Sequence, residues 1–261
     1  MARRIWILAL AAIVLGAASA QALTLANIVD LRTAGSTGTA NGALFSQVVT
    51  APTGTGNMDP FLRLQNSPIE QAFNTDYRVG GQAPLDAKSD LTFTHSLTLG
   101  QLASVNQGGV DYYMFTLDID EPNSGPLKYI SLDQFKLYTA DTGDLANLST
   151  ATLKWDMDGA GEATVYLNGG NLSSGNGQAD MQVLVPTSAF AGVDPGKYLY
   201  LYSMFGATSG FGADNFDANA SFEEWSALLG GTPSTVPAPG VLPLLGGGLL
   251  GIVASRVRRK K

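Results

Sequence analysis

The chain has 261 residues, with 22 Asp and Glu against 15 Lys and Arg, a formal net charge of −7, one histidine and no cysteine. The missing cysteine excludes a disulfide framework, a thiol nucleophile, a thiolate metal site and a haem-attachment motif. The length is ample for a buried core in a single domain.

The first stretch has the three parts of a secretory leader. Arg3 and Arg4 begin it, Ile5 to Leu15 is apolar, and the small residues around Ala20 and Ala22 suit signal-peptidase cleavage after either alanine. Residues 1–22 therefore read as a signal peptide with a signal helix, exported by the general secretory (Sec) route. The arginine pair lacks the rest of a twin-arginine consensus, and the apolar run is short for a retained anchor.

Residues 23–228 read as the exported domain. Between the leader and the basic tail, 8 Lys and Arg stand against all 22 Asp and Glu, a net charge of −14. No basic patch is available to displace counterions, so nucleic acid and anionic lipid are disfavoured as partners. The charge suits divalent cations or a solvated acidic surface.

Thr33 to Gly42 is a run of turn-formers, followed by the strand-like Ala43 to Val49 and a loop at Ala51 to Pro60. Asn66-Ser67-Pro68 reads as a turn, and Pro68 to Phe73 as one or two turns of helix. Leu91, Phe93, His95 and Leu97 alternate with threonines and serine, the period of a half-buried strand. His95 falls on the apolar side; with no second histidine and no G-x-S-x-G, it reads as a core or rim residue, not a base or ligand.

Tyr112 to Ile119 and Leu127 to Tyr138 follow as aromatic and β-branched runs. Leu153, Trp155 and Met157 share one face of a strand, and Asp158-Gly159-Ala160-Gly161 turns the chain towards Ala163 to Leu167, which predicts a hairpin with Trp155 in the core. Met181 to Val185 and Tyr198 to Phe205 complete the strands. Short strands, glycine-rich turns and no long helical period predict an all-β fold, a β-sandwich or jelly roll.

Two acidic turns are candidate calcium sites. Asp156, Asp158 and Gly161 match part of an EF-hand loop, but Ala160 and Leu167 stand where ligands are needed, so an EF-hand is excluded. Asp156 with Asp158, and Asp118 with Asp120, Glu121 and Asn123, remain as turn carboxylates able to hold Ca²⁺ with backbone carbonyls; the competing reading is ordinary turn chemistry, with no cofactor. Glu223 and Glu224 are adjacent, so on a strand they point to opposite faces and cannot act as a glycosidase pair. Tyr198, Tyr200, Tyr202 and Trp225 suit stacking on sugar rings, although alternating tyrosines more often pack one strand face on a core.

Residues 229–235 are a polar, flexible linker. From Val236 to Ser255 no charge occurs, about the ~20 residues a helix needs to span a membrane, although glycines and prolines weaken it. Arg256, Arg258, Arg259, Lys260 and Lys261 then act as a stop and hold that end in the cytoplasm. Pro237 and Pro239 force an extended lead-in suited to a protease cleft.

Residues 236–261, with the Val236-Pro237-Ala238-Pro239 signal, a glycine-rich transmembrane helix and a basic end, resemble the PEP-CTERM sorting signal. Ala238 stands where that family has Glu. Trp155 to Trp225, with Trp155-Asp156-Met157-Asp158-Gly159 and Phe222-Glu223-Glu224-Trp225, also resembles a block found in exosortase-sorted surface proteins. The resemblance implies processing by exosortase and signal peptidase in a Gram-negative bacterium. It implies transient inner-membrane anchoring, then the cell surface or extracellular matrix, and no reaction. The expected role is a structural or adhesive component of exopolysaccharide or biofilm, with a carbohydrate-binding module as the alternative and a polysaccharide hydrolase as a distant third; the chain is not expected to be an enzyme.

Overall fold

The computed structural model describes residues 27–48, 59–122, 124–170, 179–208, 214–219 and 221–230. The leader with Ala20 and Ala22, the sorting residues Val236, Pro237, Ala238 and Pro239, and the basic residues Arg256, Arg258, Arg259, Lys260 and Lys261 lie outside them. Among the described residues no helix is long and apolar enough to cross a membrane.

In chain order the strands are β1 (Ile28–Asp30), β2 (Thr37–Ala40), β3 (Ala43–Gln47), β4 (Pro60–Leu64), β5 (Glu70–Phe73), β6 (Leu97–Thr98), β7 (Ser104–Gln107), β8 (Val110–Ile119), β9 (Tyr129–Ala140), β10 (Thr152–Asp156), β11 (Thr164–Asn168), β12 (Met181–Pro186), β13 (Tyr198–Phe205) and β14 (Glu223–Ala227). They form two sheets. Sheet A runs β1-β11-β9-β13-β5, with β10 also on β9 and β6 also on β13. Sheet B runs β2-β3-β12-β8-β14-β4, with β7 also on β8. The fold is all-β, and the strands expected at Ala43, Tyr112 to Ile119, Leu127 to Tyr138, Met181 to Val185 and Tyr198 to Phe205 are β3, β8, β9, β12 and β13.

Period-2 alternation builds the core. Phe135 and Leu137 of β9 and Leu199 and Leu201 of β13 meet Phe115 and Leu117 of β8, Val183 of β12 and Trp225 of β14, all fully buried in one cluster. Burying a Leu or Phe contributes roughly 1.5–3 kcal/mol, so this cluster outweighs any single turn or ion pair.

Four local expectations are corrected. Thr33 to Gly42 is not all loop: Asn41 and Gly42 both take positive φ (42° and 77°), the two-residue turn that matches strand twist, and they join β2 to β3 as a hairpin. Pro68 to Phe73 is not helix but leads into strand β5 at Glu70, because the β5 backbone finds its partners on β13, with Glu70 opposite Phe205 and Ala72 opposite Ser203. Leu91 to Ser96 is not strand: Asp90 accepts from Thr92 N through its side chain and from Phe93 N and Thr94 N through its carbonyl, which turns Leu91 to Phe93 and leaves only Leu97 and Thr98 as strand β6.

The fourth correction concerns the hairpin around Asp158. β10 and β11 do not pair with each other; both pair antiparallel with β9, β10 along Lys136 to Thr139 and β11 along Tyr129 to Leu132. The turn between them is a detour that returns the chain to the same edge. A bulge between Leu153 and Trp155 also breaks the predicted stripe: Leu153 is exposed, while Trp155 and Met157 are buried.

Candidate functional site

The outer face of sheet A carries a row of aromatic and polar side chains. Gln134, Lys136 and Tyr138 alternate with the core residues of β9, Tyr198, Tyr200 and Tyr202 alternate with the leucines of β13, and Gln71 and Phe73 alternate with Glu70 and Ala72 of β5. Register sets them in rows: Phe73 beside Tyr202 beside Lys136, and Tyr200 beside Tyr138.

The segment after β9 folds over part of this face. Tyr200 Oη donates to Thr142 O at 2.7 Å and accepts from Leu145 N at 3.2 Å, and Thr75 Oγ1 donates to Leu145 O at 2.9 Å. Tyr200 is thereby buried, 6.1 Å from the ring of Phe73. Tyr138 and Tyr202 stay half-buried beside it. Asn147 Oδ1 caps the turn that holds Leu148 over the same edge.

What remains open is a groove of about 330 Å³, near the lower end of the ~300–1,000 Å³ typical of ligand sites. Phe73, Tyr138 and Tyr202 supply rings, Gln134, Lys136 and Asn147 supply polar groups, and Pro84 and Leu85 form the far wall. Leu85 is 54 % exposed with φ +56°, a left-handed conformation that leucine rarely adopts and that presents its side chain at the rim. Lys136 Nζ is held by Asp156 Oδ2 at 3.2 Å, and Tyr202 Oη donates to Gln71 Oε1 at 2.7 Å. Burial pushes the Tyr200 hydroxyl up to about 12 and raises those of Tyr138 and Tyr202, so all three remain neutral phenols in ordinary solution.

Two aromatic expectations change. The tyrosines of β13 face out of sheet A, not into the space between the sheets, because Leu199 and Leu201 fill that space. Trp225 is no exposed stacking residue: it is wholly buried and donates from Nε1 to Ser203 Oγ at 3.1 Å. His95 lies half-buried at the rim, its Nδ1 2.9 Å from Ser96 O.

At the acidic turns, Asp156 Oδ1 accepts from Asp158 N at 3.0 Å, Asp158 Oδ1 accepts from Ala163 N at 3.0 Å, and Lys136 pairs with Asp156. These carboxylates shape the detour between β10 and β11. Asp118 is buried on β8 opposite Glu224, Asp120 is exposed, and Glu224 pairs with Arg63. Among the described residues no three His, Cys, Asp or Glu side chains are grouped to hold a metal ion.

Further carboxyl groups gather near Asp118 and Asp120, of which the sequence marks Glu121 and Glu223 but not Asp180 and Glu70. Asp180 Oδ2 accepts from Ile119 N at 2.8 Å, and burial pushes Asp180 up to about 8, with Asp118 and Asp120 adding to the shift. Glu121 Oε1 accepts from Asn219 N at 3.1 Å, and burial pushes it up to about 7. Glu70 and Glu223 are fully buried between the sheets. The sequence signal for Glu70 is its alternation with Ala72, which a helical reading of that stretch conceals. No protein-family model, no curated protein and no solved structure matches the chain.

Proposed function

We propose that the chain is an exported, exosortase-sorted surface protein whose domain is a β-sandwich that grips exopolysaccharide in the groove on the outer face of sheet A. The observation that carries this reading is the groove itself: half-buried tyrosine rings beside a lysine, a glutamine and an asparagine. Sugar rings offer apolar C–H faces for the rings and hydroxyls for the polar groups, and the groove offers both.

Signal peptidase and exosortase process the two ends, and the inner membrane holds the precursor only in transit. This is the role the leader and the Pro-Ala-Pro tail support. Binding is favoured over hydrolysis because no Asp or Glu lines the groove among the described residues, whereas glycoside cleavage uses two carboxyl groups flanking the scissile bond.

Retention on isolated exopolysaccharide tests the proposal. Tyr138→Ala and Tyr202→Ala should each weaken retention by about tenfold, equivalent to ~1.4 kcal/mol, with the melting temperature showing that both variants remain folded. Folded variants that bind as well as wild type would remove the groove from the function.

A further inference from the structure

Glu70 opens β5 in sheet A and Glu223 opens β14 in sheet B. Each lies in step with a core residue of its strand, Ala72 and Trp225, so both side chains enter the space between the sheets from opposite sides. Each carboxyl group lies within hydrogen-bonding reach of the other. Glu70 Oε2 accepts from Asn66 N at 3.0 Å, whereas Glu70 Oε1 and Glu223 Oε1 find no N–H or hydroxyl donor among the described residues. A bond between two carboxyl groups needs a proton on one of them, since two carboxylates offer only acceptors.

We propose that Glu70 and Glu223 share one proton and form a latch between the sheets, closed while the proton is held and released when alkaline solution removes it. The surroundings favour the proton. From the chain between β5 and β6, Asp86 and Lys88 face Glu70; from the end of β8, Asp120 and Glu121 face Glu223. Lys88 is the one cation in that set, and its Nζ also lies 5.2 Å from the ring centroid of Phe222. Burial raises both carboxyls, Glu223 strongly, and the neighbouring carboxylates raise Glu223 further.

The sign follows from linkage. In the unfolded chain both glutamates ionise near the ordinary value of about 4.3, while the folded chain keeps a proton well above it. The latch therefore contributes fully below that value. Its contribution falls as pH rises, until the pair ionises in the folded state as well.

Melting temperatures of the intact chain between about pH 5 and about pH 9 test this. Wild type should lose melting temperature as pH rises. Glu223→Gln keeps a donor towards Glu70 without a titrating proton, so its profile should be flatter and should lie above wild type at the alkaline end. Parallel profiles would overturn the latch. If Glu223→Gln fails to fold, carbon NMR of wild-type Glu side chains replaces it: a carboxyl assigned to Glu70 or Glu223 should stay protonated at neutral pH, and ordinary titration of both would overturn the proposal.

Because β5 also carries Gln71 and Phe73 beside the groove, release of the latch should loosen glycan retention at alkaline pH. That consequence rests on the groove reading and is measured by retention, so its failure leaves the melting result standing.

Discussion

The indole of Trp225 stacks on the ring of Phe135 across the two sheets, with centroids 4.9 Å apart and 26° between the planes. Trp155 approaches the same ring at 5.5 Å and 63°. Phe135 is thus the point where an inner strand of sheet B and two neighbouring strands of sheet A meet.

Both tryptophans should be costly to remove. Trp155→Ala and Trp225→Ala should each destabilise by roughly 3–5 kcal/mol, a large share of the ~5–15 kcal/mol of a typical domain. Trp225→Ala should be the worse of the two, because it also leaves Ser203 Oγ buried without its donor. Denaturation midpoints in the opposite order would contradict this account of the core.

Two glycines with similar φ should respond differently to alanine. Gly206 (φ +79°) would place a Cβ 2.2 Å from Pro68 O and 2.7 Å from Ala218 N, whereas Gly192 (φ +73°) has open space around it. Gly192→Ala should cost only the left-handed backbone penalty, about 1–2 kcal/mol. Gly206→Ala should cost clearly more and disturb β5, and equal melting temperatures would show that the Pro68 backbone yields.

Calcium should not act through the turn between β10 and β11. Asp156 and Asp158 already accept from backbone N–H groups, and Lys136 occupies the position of a cation. Wild type and Asp158→Asn should therefore show the same difference in melting temperature between calcium and EDTA. A calcium gain lost only in the variant would reassign the turn as a binding site.

Deleting Arg256 to Lys261 should remove the stop and orientation signal of the tail, so that the precursor passes through the export channel and is released uncut. Intact mass of the secreted protein measures both cleavages. Unchanged tail processing in the deletion would refute the sorting role of these residues.

The strands of the core were legible because their alternation is strong, as in Tyr198 to Phe205. The same segment shows the limit of that signal. Leucine and tyrosine are both apolar enough to be buried, so alternation separates two faces without saying which one meets the opposite sheet. The Asn41-Gly42 turn was readable from the dipeptide but was masked by the surrounding small residues. Trp225 sits beside two glutamates, which made its neighbourhood look like surface; pairing with β8 and β4 buries it. The groove was not legible, because Phe73, Tyr138 and Tyr202 lie on three strands that only the sheet order brings together. The Glu70 and Glu223 contact is hidden for the same reason: a buried acid looks solvated until its partner is known.

β14 is the last described strand, yet it sits inside sheet B, between β8 and β4. Among the described residues β14 is the only strand that ladders with β4, whose other edge is held by Ala87, Lys88 and His95, so its place in sheet B is completed only when residues 223–227 arrive. On the export proposed above, a chain threading outward would leave sheet B incomplete until residues 223–227 have emerged, and only then close it around Trp225. Once closed, a pull applied to the chain beyond residue 230 would reach an interior strand flanked by two ladders, which resists peeling more than an edge strand does.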